Sequence, residues 1–267
     1  MVNKVCLVVP CYNEARRLDV ERYRTHIEKS QDQQFLFVDD GSTDETQQVL
    51  NLLRAANEAR MEVLRLDANR GKAEAVRRGI IHALGTYTLD AIGYWDADLA
   101  TPLDAVDRFV NVLNERSDIA MVFGSRVKLL GRQVERRAVR HYLGRVFATV
   151  VSTMLRLPIY DTQCGAKLFR VSRDVRQVFE QPFLSKWVFD VEIIARYLNL
   201  YRHDLRRLEH AIYEYPLECW VDIAGSKVRP YDFVVASFDL LRIKRKYLSL
   251  GAGSRKQQAG SKNEQGR

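Results

Sequence analysis

Along the first 123 residues, short apolar segments alternate with longer segments in which apolar residues recur every three or four positions. Continuous apolar runs are typical of buried strands, and the longer spacing is typical of helices with one buried face. The pattern predicts strands at residues 5–9, 34–38, 62–66, 92–95 and 119–123, and helices at residues 18–29, 45–60, 72–84 and 103–116. This order predicts an α/β fold with a mostly parallel, doubly wound sheet, helices on both faces, and ligands at the carboxyl ends of the strands.

The pattern changes after residue 124. Apolar residues at three- and four-residue intervals from Val139 to Leu155 predict a long amphipathic helix, whose arginines mostly take the other faces. A loop at 161–165, a helix near 189–200 and a final helix at 231–248 follow. Residues 251–267 contain almost no apolar side chains, which predicts a disordered tail. We therefore expect a single domain at residues 1–250, divided into halves 1–123 and 124–250.

Charge is unevenly distributed along the 267 residues. The formal net charge is +8, yet residues 1–123 hold 15 basic and 20 acidic side chains, whereas residues 124–145 hold 7 basic and 1 acidic. The hydrophobic fraction of 46% is sufficient for a core and excludes overall disorder. A basic segment is compatible with nucleic acid, an anionic membrane surface or a phosphorylated substrate, and net charge alone does not choose among them.

The cysteines and the apolar runs bear on cellular location. Four scattered cysteines without a CxxC pair indicate neither a zinc site nor a disulfide framework. The apolar run at 5–9 is too short for a signal peptide, and nowhere do 18 apolar residues occur in succession. We therefore expect a cytoplasmic protein that neither spans a membrane nor is exported.

Polar motifs directly follow the first and second predicted strands. The first strand ends in PCYNE at residues 10–14, and the second ends in VDDGSTD at residues 38–44. An acidic side chain at the tip of the second strand can accept a hydrogen bond from a ribose hydroxyl or a base N–H. A capped turn before a helix explains the same residues, and both interpretations can hold together. No GxGxxG or Walker sequence follows the first strand, so a nucleotide would be held in another way.

The fourth strand is followed by Asp96, Ala97 and Asp98. Two carboxylates one residue apart on an extended chain share a face and repel each other unless a cation compensates them. Mg²⁺ and Mn²⁺ prefer such oxygen ligands and commonly bridge to phosphates. The pair alone is also compatible with a solvated loop or a helix cap, but the other strand-end motifs favour a metal site.

In combination, these motifs and NRGK at residues 69–72 resemble the ordered signature of family 2 inverting glycosyltransferases, which have the Rossmann-like GT-A fold. The resemblance implies a nucleotide-diphosphate-sugar donor at the ends of the first, second and fourth strands, with Mg²⁺ or Mn²⁺ held by Asp96 and Asp98. It also implies substrate contacts from Pro10, Tyr12, Glu14, Asp40 and Ala97. Lys72, which opens a helix, either reaches a phosphate or pairs locally.

Motifs of the second half narrow the resemblance. The likeness to polyprenyl-phosphate (dolichyl-phosphate) glycosyltransferases rests on the arginine-rich helix and on GSR at 124–126, DTQCGAKLF at 161–169, WVFDVE at 187–192 and WVDIAGSKV at 220–228. Within that group, DTQCG and FDVE are closer to the dolichyl-phosphate β-glucosyltransferase subgroup than to the mannosyl enzymes. We expect substrate contacts from Gln163 and from Lys227, which is either an exposed loop lysine or closes over the diphosphate.

A phosphate acceptor determines which basic residues matter. A lipid monophosphate has a second pKa of about 6, so near neutral pH it is already largely nucleophilic and needs no strong general base. Arg126 and Arg140 match positions that bind acceptor phosphate in the resembled family, and Arg136 lies one helical turn before Arg140. The other arginines of this segment are expected on a solvated face or against a membrane. Asp190 would act as general base on a hydroxyl acceptor, and beside a phosphate acceptor it would orient a sugar hydroxyl or a cation.

Three functions are compatible with these residues. The first is metal-dependent, inverting transfer of glucose from UDP-glucose to a polyprenyl phosphate, by an enzyme bound peripherally to the anionic cytosolic face of a membrane or held there by a membrane-protein partner. The second keeps the fold but uses GDP-mannose, another nucleotide sugar or a hydroxyl acceptor. The third is a non-catalytic module that binds nucleic acid or membrane, which the aspartate pair and the acidic first half disfavour. We expect no nucleic-acid partner.

Overall fold

The computed structural model describes residues 1–128, 130–131, 133–135, 138–221 and 230–249, with the backbone alone at 134, 135, 138–143 and 230–234. The strands are β1 (Val5–Cys11), β2 (Gln33–Asp39), β3 (Met61–Arg65), β4 (Ala91–Trp95), β5 (Met121–Ser125), β6 (Gln133–Glu135), β7 (Ala166–Arg170), β8 (Ile212–Pro216) and β9 (Cys219–Val221). The helices are α1 (Val20–Lys29), α2 (Thr46–Ala56), α3 (Lys72–Thr86), α4 (Ala105–Glu115), α5 (Ala138–Leu155), α6 (Arg173–Glu180), α7 (Phe189–Leu200), α8 (Leu205–Ala211) and α9 (Pro230–Ile243). A π-helical turn, Lys244–Leu248, follows α9.

Seven strands form one sheet in the order β3-β2-β1-β4-β7-β5-β8. Neighbouring strands are parallel from β3 to β4 and between β5 and β8, whereas β7 is antiparallel to both β4 and β5. A separate two-stranded sheet pairs β6 with β9. The mostly parallel, doubly wound sheet predicted from the sequence is confirmed.

Apolar side chains fill the space on both faces of this sheet. Alternate residues of a strand point to opposite faces, so Cys6 and Val8 of β1 belong to one buried cluster and Leu7 and Val9 to the other. Helices α3, α6 and α7 cover the first face, and α1, α2 and α4 cover the second. The polar carboxyl ends of β1, β2 and β4 are thereby held at one edge of a rigid core.

The strands and helices predicted in the first half all form, with ends that differ by a few residues. Helices α5, α7 and α9 confirm those predicted in the second half, although the last one ends in a π-helical turn. The short elements β6, β7, β8, β9, α6 and α8 were not predicted, because so few residues carry no clear period. The 123/124 boundary lies inside β5, and the tail at 251–267 lies outside the described residues.

Where the structure describes the chain, we find no helix with the length and hydropathy needed to cross a membrane.

Candidate active site

The loops after β1 and β2 interlock at the carboxyl edge of the sheet. The backbone N–H of Asn13 donates to Oγ of Ser42 at 3.0 Å, and the N–H of Thr43 donates to Oδ1 of Asn13 at 2.9 Å. Asn13 has a positive φ of 53°, a conformation that asparagine adopts more readily than most residues. These bonds hold the PCYNE and VDDGSTD motifs side by side.

Asp40 joins the end of β2 to the start of α3. Its carboxylate is buried and accepts the backbone N–H groups of Arg70 at 2.8 Å and Gly71 at 2.7 Å. Burial raises the pKa of Asp40, although these two N–H groups oppose the rise. Gly41 has a positive φ of 66°, and a β-carbon there would lie 2.6 Å from the carbonyl carbon of Ala68. The residue expected to contact a nucleoside therefore also fixes the start of α3.

Pro10, Tyr12 and Glu14, the other residues expected to contact the nucleoside, are half-buried at the end of β1 and in the turn that follows. Nε of Arg17 lies 3.5 Å from Oε2 of Glu14, and Nη2 of Arg17 lies 3.0 Å from Oδ2 of Asp98. Arg17 thus ties the turn after β1 to the end of β4. The sequence gives no signal for this link, because Arg17 lies outside the recognised motif.

Asp96 and Asp98 follow β4 at the same corner. The N–H of Asp96 donates to the carbonyl of Gly165 at 2.9 Å, and the N–H of Ala100 donates to Oδ1 of Asp98 at 3.1 Å. Burial and the neighbouring charge of Asp96 raise the pKa of Asp98. The side chain of Ala97 is buried among apolar residues, so only its backbone is available to a ligand.

Lys72 opens α3 and pairs with Asp96, with Nζ 2.5 Å from Oδ1. Burial lowers the pKa of Lys72, but the carboxylates of Asp96 and Asp190 raise it more, and the net direction is upward. The side chain is 39% exposed, so a ligand can reach it. Lys72 therefore forms a local ion pair with Asp96, and the same ammonium faces the corner where a phosphate is expected.

The donor set at this corner fits the expected divalent cation. Two carboxylates are hard oxygen ligands, and Mg²⁺ is commonly bound by one or two carboxylates together with substrate phosphates. Within the described ranges, no group of three or more histidine, cysteine, aspartate or glutamate side chains could hold a metal ion. Asp96 and Asp98 would therefore supply part of a coordination shell that a diphosphate completes. Lys72 and Arg17 balance the charge of the two carboxylates in this structure.

A buried ion pair lies behind this corner. Nζ of Lys167, on β7, is 2.5 Å from Oδ1 of Asp190, at the start of α7, and no more than 6% of either side chain is exposed. The hydroxyl of Tyr94 donates to the same oxygen, and Nζ also donates to the carbonyls of Thr162 at 2.9 Å and Cys164 at 2.6 Å. Asp190 is therefore a fixed carboxylate, and Lys167 ties the 161–165 loop to α7. Lys167 was not predicted as a site residue from the sequence, although a charged residue inside an apolar run was the available signal.

Arg126, at the end of β5, forms a two-pronged ion pair with Asp161. Its Nε lies 2.6 Å from Oδ2 and its Nη2 lies 2.7 Å from Oδ1. Burial lowers the pKa of Arg126, but the charge of Asp161 more than offsets this, so the net direction is upward. Glu214 holds Asp161 in turn, accepting its backbone N–H at 2.5 Å. Two donor nitrogens of the arginine expected to bind an acceptor phosphate are thus engaged by Asp161, which was not predicted as a site residue from the sequence.

Gln163 lies in the loop that connects Arg126 and Asp161 to the Asp96 corner. Its N–H donates to Oδ1 of Asp161 at 3.1 Å, while its buried Nε2 has no hydrogen-bond partner in the described part of the chain. Arg140 lies on α5, where the structure describes only its backbone. Arg136 and Lys227 lie outside the described residues.

Arg145 departs from the solvated position expected for the remaining arginines of its segment. The side chain is half-buried, and its Cζ lies 3.8 Å from the ring centroid of Tyr160. The expectation for this residue was wrong because helical periodicity alone does not reveal that the chain after α5 returns to cover it.

Residues 6–174 match the family model described as Glycosyl transferase family 2. The chain belongs to that family. Three dolichyl-phosphate beta-glucosyltransferases are similar to this family 2 glycosyltransferase over most of its length. The Dictyostelium discoideum protein is 32% identical and the alignment covers 91% of this chain and 74% of that protein. The Homo sapiens protein is 31% identical, and the alignment covers 92% of this chain and 76% of that protein. The Saccharomyces cerevisiae protein is 30% identical, and the alignment covers 91% of this chain and 74% of that protein.

Solved structures with a similar fold include glucosyl-3-phosphoglycerate synthase from Mycobacterium tuberculosis. Its complex with phosphoglyceric acid has a TM-score of 0.63 and 17% identity, and covers 94% of this chain and 82% of that chain. A complex of the same enzyme with Mn²⁺, UDP-glucose and phosphoglyceric acid has a TM-score of 0.59 and 17% identity. It covers 92% of this chain and 77% of that chain. The predicted GT-A fold and the predicted enzyme class, a glycosyltransferase, are both confirmed.

Proposed function

We propose that this glycosyltransferase transfers glucose from UDP-glucose to a polyprenyl phosphate, with inversion and with Mg²⁺ or Mn²⁺. The observation that carries the proposal is the position of the 161–165 loop, which joins the Arg126–Asp161 pair to the Asp96 corner. The relatives named as dolichyl-phosphate beta-glucosyltransferases support the choice of sugar and acceptor.

The donor side rests on Asp96 and Asp98. A divalent ion bound there would neutralise the diphosphate and stabilise its departure. Lys72 supplies a second positive charge at the N-terminus of α3, where the helix dipole also favours anions. We assign the nucleoside to the ends of β1 and β2, with contacts from Pro10, Tyr12, Glu14 and Asp40. Inverting transfer then needs an acceptor oxygen opposite the diphosphate.

A phosphate acceptor suits this site better than a hydroxyl acceptor. A hydroxyl needs a general base, and Asp190 is held by Lys167 and Tyr94 on one oxygen, which suits a fixed orienting carboxylate rather than a group that takes up a proton. A phosphate monoester is already ionised and needs a cationic site. We assign that site to Arg126, Arg140 and Gln163, with Arg136 as a further candidate.

A polyprenyl chain requires access to a membrane. We propose peripheral contact with the cytosolic face through the basic segment at 124–145, since each basic residue near an anionic surface adds about 1 kcal/mol of attraction. Lys227 would close over the diphosphate.

The test is incubation of the purified protein with labelled UDP-glucose or GDP-mannose, Mn²⁺ and a polyprenyl phosphate. We expect a glucosyl lipid that extracts into organic solvent and is cleaved by mild acid, formed from UDP-glucose and lost with a chelator. Asp98→Asn should abolish the product. Asp118→Asn is the matched control, because Asp118 is exposed and pairs with Arg116 at the surface.

Two results would contradict the proposal. A product that persists in Asp98→Asn with chelator would exclude the metal site. Transfer to a soluble hydroxyl, with no lipid product from either donor, would exclude the phosphate acceptor.

A further inference from the structure

Arg145 lies at the border of the face of α5 that packs on the protein. Ala148, three residues further along, is buried, whereas Thr149, four residues further along, is exposed. Residues three and four positions apart are neighbours on a helix surface, so Arg145 is half-buried between these two surroundings. Its guanidinium contacts the ring of Tyr160, with Cζ 3.8 Å from the ring centroid.

The guanidinium of Arg145 has an open donor. Its Nη1 is buried and, across the described residues, has no hydrogen-bond partner. Stacking on Tyr160 offsets part of the cost of burying the charge, but it leaves an N–H group without an acceptor. A buried donor without an acceptor is costly, and such groups are rare in folded proteins unless a ligand or water completes them.

Other open groups lie in the loop that begins at Tyr160. The Nε2 of Gln163 is buried without an acceptor in the described part of the chain, as is the hydroxyl of Thr162, a side chain that is 2% exposed. Between them and Tyr160 stands Asp161, which holds Arg126. Arg145 contacts Tyr160, the residue before Asp161, and the backbone N–H of Gln163 donates to Asp161, so a ligand beside this turn that accepts hydrogen bonds in several directions would satisfy the open groups. Phosphate oxygens do so.

We propose that Arg145 binds the phosphate of the acceptor, with Gln163 as its partner across the ligand and Tyr160 as the ring that keeps the guanidinium plane in place. The inference rests on the proposed function, since it takes the acceptor to be a phosphate monoester. It also explains how an acceptor site can work although two donors of Arg126 are engaged by Asp161. Arg126 orders the loop through these two donors, and Arg145 adds an open N–H group to the site assigned to Arg126, Arg140 and Gln163.

Geranyl phosphate, a water-soluble isoprenyl monophosphate, is the probe. Its affinity is measured by calorimetry with UDP and Mn²⁺ present, for the wild type, Arg145→Gln, Arg145→Lys and Arg156→Gln. We expect Arg145→Gln to weaken binding about tenfold or more, because a charge-assisted hydrogen bond to phosphate is lost. Arg145→Lys should recover only part, since an ammonium neither stacks on Tyr160 nor offers the planar fork. Arg156, exposed just beyond α5, is the control for loss of charge.

The affinity for UDP with Mn²⁺ separates a binding role from a structural one. It should be unchanged in every variant. The inference is overturned if Arg145→Gln binds geranyl phosphate as the wild type does, if it loses UDP and geranyl phosphate equally, or if the wild type binds no geranyl phosphate.

The same variants distinguish this inference from the proposed function. If geranyl phosphate binding depends on Arg145 but the wild type forms no glucosyl lipid, the proposed reaction fails and the phosphate site stands. If the glucosyl lipid forms with the same KM for polyprenyl phosphate in Arg145→Gln, the reaction stands and the inference is overturned.

Discussion

Gly165 and Asp96 lie so close together that a β-carbon on Gly165 would overlap the carboxylate of Asp96. The carbonyl of Gly165 also accepts the N–H of Asp96 at 2.9 Å, which holds the two backbones in register. Gly165 does not have a positive φ, so the glycine is required here by close approach and not by a turn. The glycine of the DTQCG motif therefore sets the position of a carboxylate assigned to the metal.

We expect Gly165→Ala to displace Asp96 and to lower the rate of glycosyl transfer strongly. The clash is with the carboxylate of Asp96, whose side chain is 37% exposed and can turn away, so we expect little change in the free energy of unfolding and a clear loss of metal-dependent binding. Thermal unfolding and Mn²⁺-dependent UDP binding measure the two effects. Gly85→Ala is the control, because Gly85 lies in α3 with open space around it, and there alanine should stabilise the helix by about 0.5–1 kcal/mol. Full UDP binding in Gly165→Ala would contradict the close-approach argument.

We expect Lys167→Met to lower the free energy of unfolding by about 3–5 kcal/mol, since it leaves the buried carboxylate of Asp190 without its counter-charge. The double variant Lys167→Met/Asp190→Leu removes both charges and should recover much of that loss. Denaturant unfolding of the wild type, Lys167→Met, Asp190→Leu and the double variant forms a double-mutant cycle.

Activity should not follow stability in this cycle. The double variant should stay inactive, because it loses the negative charge of Asp190 that acts on Lys72 and because the 161–165 loop loses its tie to α7. If the double variant regains both stability and turnover, the pair has only a structural role.

Glu214 predicts a dependence of stability on pH. Burial raises its pKa above the ordinary value of 4.5, although the N–H groups of Tyr160 and Asp161 oppose the rise. The folded protein then binds a proton more tightly than the unfolded chain, so the contribution of Glu214 to stability falls as pH rises above the unfolded value. Glutamine does not titrate. The difference in free energy of unfolding, Glu214→Gln minus wild type, should therefore become more positive between about pH 4 and pH 7.

Denaturant titrations at several pH values check this slope. A difference that stays constant, or that falls as pH rises, would contradict a raised pKa.

The cysteines should differ in reactivity toward iodoacetamide. Burial raises the pKa of Cys6 to about 12 and raises the pKa values of Cys11 and Cys164, so little thiolate is present in the folded protein. Cys219 is half-exposed on β9 and should react first. Peptide mapping by mass spectrometry, before and after unfolding in guanidinium, measures the order. Alkylation of Cys164 at the rate of Cys219 would contradict the packing of the 161–165 loop.

The candidate donor side could be predicted from the sequence because its motifs follow parallel strands, whose carboxyl ends meet at one edge of the sheet. Asp40, Asp96 and Asp98 were predicted in this way. The candidate acceptor side depends on pairs that no local pattern connects. Arg126 and Asp161 are 35 positions apart. Which donors are engaged and which remain open, as at Arg145, follows from packing that only the three-dimensional structure contains.

The position of β7 between β4 and β5 has a consequence for how the chain can be made and divided. A fragment that ends at residue 123 would leave β4 with an unpaired edge, which favours self-association. The missing strand arrives only with residues 166–170, so pairing waits for a distant part of the chain and slows folding. A fragment intended for expression should therefore extend past residue 170, and the family match to residue 174 ends just beyond that point.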